Sequence, residues 1–176
     1  VTRGDQEEIT EILPLLRTGV DESYQDVREL LTNFRSKLGQ GDLQAAIEST
    51  VERFRRQTGI QTDLRFGGDE GGPLPPEQQL QVLFILQEAL SNVRKHSEAG
   101  QVLVSVNNER DFSLLIQDDG QGYDPAEVAA RGESHVGLHI MQERAARMRA
   151  MIKLESQPGA GTRVALTLPG SERQAA

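Results

Sequence analysis

The segment QEALSNVRKH, residues 87–96, combines a polar and an apolar helix face. Glu88 and Asn92 are four residues apart, so an α-helix places them on one side, and Lys95 and His96 follow on that side. The opposite side is expected to be buried and carries Leu83, Leu86, Leu90 and Val93. A carboxylate, an amide and cations together suit a Mg²⁺–polyphosphate site, because Mg²⁺ prefers oxygen ligands. A solvated helix face is the alternative for this segment alone.

A second segment, Asp118-Asp119-Gly120-Gln121-Gly122, follows an apolar run that reads as a strand. A carboxylate at a strand end can accept a hydrogen bond from an exocyclic amine, such as that of adenine. Glycines beside it would let the backbone approach a ring closely. The alternative is an ordinary acidic turn.

Two further glycine segments are Ser134-His135-Val136-Gly137-Leu138 and Pro158-Gly159-Ala160-Gly161-Thr162. The first lies where a loop meets a helix, and free N–H groups at a helix N-terminus bind phosphate well. The second lies between two strand-like runs, where Gly161 would let the chain pass close to a nucleotide. An ordinary helix start and an ordinary hairpin turn are the alternatives.

The elements around these segments follow from the apolar periodicity. Helices are predicted over residues 5–38, 42–59, 77–96 and 138–148, with a loop over 120–136 that holds a short helix near Glu127. Strands are predicted over residues 60–66, 102–106, 112–117, 151–156 and 163–168, with a turn at Asn107 and Asn108. This order predicts an α/β sandwich with helices on one face of a mixed sheet.

The N-terminal helix carries an apolar stripe longer than one small domain can cover, which favours a role in a helix bundle. Asp42 is expected to cap the next helix and Gly59 to end it. That second helix should bury Leu43, Ala46, Ile47, Val51 and Phe54.

Composition narrows the function classes. The chain has 176 residues, a net charge of −8 and no cysteine, so disulfides and thiolate metal sites are excluded and a nucleic-acid surface is not favoured. No apolar run approaches the roughly 20 residues of a membrane span. The chain does not begin with Met, and we expect it to be a fragment whose upstream part could include a membrane segment. There is no GxxxxGK[ST] loop.

The order and spacing of the four segments resemble the ATPases related to gyrase, Hsp90 and histidine kinases over about residues 80–168. The runs ELLTNFR (29–35), QEALSNVRKHS (87–97) and GLHIMQERA (137–145) are similar to the nitrate/nitrite-type sensor histidine kinases. This resemblance implies a two-layer, Bergerat-type ATP-binding fold, preceded by a long helix from a dimerisation hairpin.

The resemblance also implies roles for individual residues. Asn92 would hold Mg²⁺, Asp118 would read adenine, and Glu88 would be the catalytic carboxylate that positions water or the attacking group. The loop between Gly122 and Gly137 would be a lid over the phosphates of ATP. The residues expected to bind ATP with its Mg²⁺ are Asn92, Lys95, His96, Asp118, Gly120, Gly122, Gly137, Leu138, Gly161 and Thr162.

By the same resemblance, residues 1–40 are the second helix of the dimerisation domain, 41–169 the ATP-binding catalytic domain, and 170–176 a flexible tail. None of His96, His135 and His139 matches the phosphoacceptor histidine, so autophosphorylation of the fragment is not expected. The implied reaction transfers the γ-phosphate of ATP to a histidine outside the fragment, and then to an aspartate of a response regulator with a DNA-binding output domain. The intact protein would be a homodimer, without direct nucleic-acid binding, and this part would be the cytoplasmic portion of an inner-membrane sensor.

Two rival functions stay open from the sequence. One is a serine kinase of the anti-sigma-factor type, which shares the fold and the ATP site but phosphorylates a protein serine. The other is a non-catalytic module in which ATP only exposes a docking surface.

Overall fold

The computed structural model describes residues 43–68, 70–124 and 136–173. The helix predicted over residues 5–38, the cap Asp42 and the loop over 125–135, with its short helix, lie outside the described residues. The domain boundary near residue 40 therefore stays a prediction.

Three α-helices and five strands form the described fold. The helices are α1 (Leu43–Thr58), α2 (Pro76–Asn92) and α3 (Val136–Arg147); α2 continues into a π-helical turn, Val93–Ser97. The strands are β1 (Gln61–Gly67), β2 (Gln101–Asn108), β3 (Phe112–Asp118), β4 (Met151–Ser156) and β5 (Thr162–Leu168), and a 3₁₀ turn, Gly170–Glu172, follows. Among the described helices, none is long and apolar enough to cross a membrane.

Helix α1 follows the predicted pattern. Its apolar side chains Ile47, Val51 and Phe54 are buried, while Leu43 and Ala46 are only half-buried. The helix ends at Thr58, and Gly59 follows it. The φ of +70° at Gly59 favours a residue without Cβ, and its N–H donates to the carbonyl of Arg55 at 2.8 Å.

The sheet has the order β1-β2-β3-β5-β4. Strand β1 runs parallel to β2, and the remaining pairs are antiparallel. A parallel neighbour needs a crossover, and α2 supplies it between β1 and β2. The order confirms the predicted mixed sheet.

The predicted turn at Asn107 and Asn108 is wrong. Both residues belong to β2, where Asn107 pairs with Ser113 and Asn108 with Phe112, and the chain reverses over residues 109–111. Asparagine is common in turns, but here the Asn108 amide donates to the carbonyl of Gly71 at 3.0 Å, which holds the loop before α2 against the strand end.

The core lies between one face of the sheet and the helices. Alternate residues of β2, β3 and β5 are buried on that face, and the intervening residues are mostly half-exposed. Helix α2 packs against α1, α3 and β3, so it occupies the middle of the helical layer. Its predicted apolar side is buried, with Leu83, Leu86, Leu90 and Val93 all at most 4% exposed. The predicted α/β sandwich with helices on one face is confirmed.

Truncation of a core aromatic side chain should test this packing. Phe112 is 1% exposed, so Phe112→Ala leaves a cavity and should lower the free energy of unfolding by about 3–5 kcal/mol. Met151, on edge strand β4, is 64% exposed, and Met151→Ala should change stability by less than about 0.5 kcal/mol. Urea titration followed by circular dichroism measures both variants. Equal losses would contradict the described core.

Candidate functional site

A cavity of about 680 Å³ opens between α2, the N-terminus of α3, the C-terminal end of β3 and the N-terminal end of β5. This volume is within the usual range of small-molecule sites. Its wall contains most of the residues that the sequence predicted. These are Glu88, Asn92, Lys95, His96, Asp118, Gly122, Gly137, Leu138 and Thr162.

At one end of the cavity, the polar side of α2 meets the first turn of α3. A Cβ built on Gly137 would clash with Oε1 of Glu88 and lie 3.4 Å from the amide nitrogen of Asn92. Glycine at this position therefore lets a carboxylate and an amide reach the N-terminal end of a helix. The backbone N–H groups of a helix N-terminus carry a partial positive charge that attracts anions.

At the other end of the cavity lies the carboxyl group of Asp118, the last residue of β3. The residue is only 5% exposed, and burial raises the pKa of its carboxyl group above the ordinary value. Hydrogen bonds from the backbone N–H groups of Gly120, at 2.9 Å, and Thr162 oppose that rise in pKa. Ile116 and Val164 line the cavity beside it, so a hydrogen-bond acceptor stands next to an apolar surface.

Asp119, the second acidic residue of the pair, has a different environment. It is exposed, and its Oδ1 accepts hydrogen bonds from the backbone N–H groups of Gly100 at 2.9 Å and Gln101 at 2.8 Å. Asp119 therefore fixes the start of β2, whereas Asp118 faces the cavity.

Two predicted glycines, Gly120 and Gly161, lie behind Asp118 and not in the cavity wall. A Cβ on Gly120 would clash with the carbonyl of Ser97, and a Cβ on Gly161 with the carbonyl of Asp118. Gly161 also has a φ of +74°. In the structure these glycines allow close approach between backbone segments around the carboxylate, and their contact with a nucleotide stays a prediction.

The side chains of Lys95 and His96 are exposed at the cavity rim. The sequence predicts an α-helix as far as His96, but the regular helix ends at Asn92 and residues 93–97 form the π-helical turn. The Ser97 hydroxyl donates to the carbonyl of Val93 at 2.9 Å within this turn. Such turns are rare and frequently occur at functional sites.

The predicted site lacked eight residues of the cavity wall: Ala89, Val93, Ser97, Ile116, Gln121, Tyr123, Ile140 and Val164. Gln121 ties two segments together, because its backbone N–H donates to the carbonyl of Ser97 at 2.7 Å and its side-chain amide to that of His96 at 2.6 Å. Its position between two glycines was the available signal. The types of the other seven residues gave no signal of a binding site.

The chain matches known proteins over this region. The family model of the histidine kinase-, DNA gyrase B-, and HSP90-like ATPases matches residues 77–172. The sensor protein NarQ homolog of Haemophilus influenzae is 34% identical over 148 residues, which are 83% of this chain and 25% of that protein. The nitrate/nitrite sensor protein NarX of Escherichia coli is 34% identical over 163 residues, 89% of this chain and 26% of that protein.

Among solved structures, the Erythrobacter litoralis EL346 blue-light activated histidine kinase superposes with a TM-score of 0.68 at 16% identity. The match covers 88% of this chain and 51% of that one, and at this identity it supports the fold alone.

The chain spans about a quarter of the length of the NarQ homolog and of NarX.

The two neighbouring aspartates should respond differently to substitution. The pKa of Asp118 is higher in the folded than in the unfolded chain, so its charge costs stability at pH 7, and that cost disappears as the pH falls through the raised pKa. Asp118→Asn should therefore be at least as stable as the parent chain at pH 7. Asp119→Ala loses two hydrogen bonds and should lower the free energy of unfolding by about 1 kcal/mol.

Urea titrations at neutral and acidic pH measure both substitutions. If Asp118→Asn lost as much stability as Asp119→Ala at neutral pH, the charge of Asp118 would be stabilising and its described environment would be wrong.

Proposed function

We propose that this chain, which belongs to the family of histidine kinase-, DNA gyrase B- and HSP90-like ATPases, is the ATP-binding catalytic part of a two-component sensor histidine kinase. As a member of that family of ATPases, it binds ATP. The observation that carries the proposal is one cavity with a buried carboxylate at one end and a helix N-terminus beside Glu88 and Asn92 at the other. The named sensor proteins among its relatives favour this function over the serine-kinase and non-catalytic alternatives.

Adenine fits the Asp118 end. The carboxylate accepts a hydrogen bond from the exocyclic amine, and the apolar side chains of Ile116 and Val164 contact the ring. An amine is a better partner here than an oxo group, because two acceptors facing each other without water are unfavourable.

The triphosphate fits the other end. The N-terminal N–H groups of α3, at Gly137 and Leu138, are suited to phosphate oxygens. At the rim, Lys95 adds a cationic donor and His96 a ring N–H. Asn92 lines this end of the cavity and would supply an amide oxygen for Mg²⁺. Among the described residues no cluster of three His, Cys, Asp or Glu could hold a metal by itself, so phosphates and water would complete the shell of the ion. When bound, Mg²⁺ neutralises phosphate charge.

Glu88 is the residue that we assign to catalysis. Its carboxylate lies against Gly137 in the first turn of α3, on the same side of α2 as Asn92 and at the phosphate end of the cavity. There it can position the imidazole whose unprotonated nitrogen attacks the γ-phosphorus, while the proton of the other ring nitrogen leaves to water.

The acceptor in this proposal is a histidine outside the fragment. Within the described residues, His96 lies at the cavity rim, and His139 is exposed on α3 beside Glu143 at 3.5 Å. In the transfer, the bond from the γ-phosphorus to its bridging oxygen breaks, a phosphorus–nitrogen bond forms, and ADP leaves. The phosphoryl group then passes to an aspartate of a response regulator.

The remaining parts of the proposal concern the intact protein. We propose that it is a homodimer through a helical hairpin, whose second helix is residues 1–40. Its response regulator carries a DNA-binding output domain, and the fragment is the cytoplasmic portion of an inner-membrane sensor. Membrane attachment would then come from upstream segments alone. These assignments follow from likeness to sensor proteins of which the chain covers about a quarter.

Calorimetric titration of Mg²⁺-ATP tests the adenine assignment. Asp118→Asn should weaken binding about tenfold or more, because the amide replaces a charged acceptor. The affinity of the parent chain for ATP should also fall as the pH decreases. Because burial raises the pKa of Asp118, this fall should begin at a higher pH than the one at which an ordinary aspartate protonates. Asp118→Asn should lack that fall. Unchanged affinity in the variant would refute the assignment.

Phosphoryl transfer in the intact kinase tests the Glu88 assignment. Glu88→Gln should slow transfer from ATP labelled at the γ-phosphate by about 10²-fold or more, while ATP affinity changes only a few-fold. Glu143→Gln is the matched control, since Glu143 is an exposed carboxylate on α3 outside the cavity wall. Stable labelling of the isolated fragment would contradict the external acceptor, and equal rates for both variants would remove Glu88 from catalysis.

A further inference from the structure

The hydroxyl group of Ser156, at the end of β4, has three hydrogen-bond partners. Its oxygen lies 2.9 Å from the backbone nitrogen of Tyr123, 3.0 Å from the carbonyl oxygen of Gly161 and 3.0 Å from Oγ1 of Thr162. A serine hydroxyl offers one hydrogen and two lone pairs. The three contacts therefore use its full capacity.

The partners decide where the hydroxyl hydrogens lie. The N–H of Tyr123 can only donate, and the carbonyl of Gly161 can only accept. Gly161 is buried, and Ser156 is the donor that reaches its carbonyl, so the hydrogen of Ser156 goes there. Between the two hydroxyl groups, Thr162 must then be the donor.

This arrangement determines whether the hydroxyl group of Thr162 acts as a hydrogen-bond donor or acceptor toward a ligand. Thr162 lines the cavity wall. With its hydrogen directed at Ser156, its oxygen keeps only lone pairs for any further partner, a bound ligand included. The carboxylate of Asp118 lines the same end and is also an acceptor. A ligand edge at this end must therefore supply hydrogen-bond donors.

We propose that Ser156 is a positioning residue that fixes Thr162 as an acceptor and so makes the site select a 6-amino purine over a 6-oxo purine. The inference rests on the proposed ATP-binding function and adds to it the source of base selectivity. Ser156 acts through Thr162, since the cavity wall contains Thr162 but not Ser156. An oxo group would face two acceptors, whereas an exocyclic amine offers two hydrogens.

Calorimetry on the full chain with ATP and inosine triphosphate tests the proposal, because the two bases differ in the group at position 6 and in the hydrogen that accompanies it on N1. The parent chain should prefer ATP. Ser156→Ala frees the Thr162 hydrogen for an oxo group and should reduce the ratio of the two affinities about tenfold, the equivalent of one hydrogen bond. Ser156→Thr keeps the hydroxyl group and should restore the ratio.

Ser113→Ala is the matched control. Ser113 is half-exposed on β3 and pairs with Thr167 at the far end of the β3–β5 ladder from Asp118. Its substitution removes a strand hydroxyl without touching the cavity wall. The affinity ratio in this variant should equal that of the parent chain.

A double substitution keeps the test valid if Ser156→Ala lowers stability. Thr162→Val removes the same hydroxyl interaction from the other side, so it should reduce the ratio as well, and adding Ser156→Ala to it should reduce it no further. Additive effects, or a parent-like ratio in Ser156→Ala, would overturn the role of Ser156 and leave ATP binding standing. Absence of binding by the well-folded parent chain would instead overturn the proposed function.

Discussion

The carboxyl group of Asp118 lies at the end of β3 almost out of contact with solvent, and it needs hydrogen-bond donors to replace the water that it has lost. Backbone N–H groups of Gly120 and Thr162 provide them. Both donors reach the carboxylate only because the chain segments around it approach very closely. Side chains at Gly120, Gly122 or Gly161 would clash with backbone carbonyl oxygens, so glycine at these positions is a steric requirement of a buried carboxylate.

Helix α2 has two tasks that constrain each other. Its apolar side covers the sheet, and its polar side forms the phosphate end of the cavity. A rotation that improved one contact would disturb the other, because both sets of side chains belong to one rigid element. The stacking of the Arg144 guanidinium over Phe84, at 4.1 Å from the ring centroid, and its hydrogen bond to Gln81 at 3.2 Å further fix α2 against α3. Desolvation and the neighbouring charge of Arg147 both lower the pKa of Arg144, which fits its partly enclosed position.

Much of the fold could be predicted because its signals are local. Apolar periodicity located the helices and strands, and the glycine at position 59 located the end of α1. The four segments singled out from sequence do meet in one region, although the lid predicted between them lies outside the described residues. Contacts between distant residues could not be read in this way. Asp119 holds the start of β2, and Gly161 packs on Asp118. Both contacts depend on the assembled sheet and cannot be predicted from the residue types. The turn predicted at Asn107 and Asn108 was wrong because the turn preference of asparagine is weaker than the hydrogen-bonded pairing of β2 with β3.

The π-helical turn at residues 93–97 has a consequence for how this sequence can change over evolution. Each residue of an α-helix rotates the chain by about 100°, so a wider turn shifts the phase of everything after it. Loss of a single residue between Val93 and Ser97 would restore a regular helix and point Lys95 and His96 in other directions. It would also displace the Ser97 carbonyl, which accepts the N–H of Gln121 at 2.7 Å. Point substitutions at the exposed rim leave this phase intact, whereas a one-codon deletion does not, so the length of this turn constrains the site independently of its residue types.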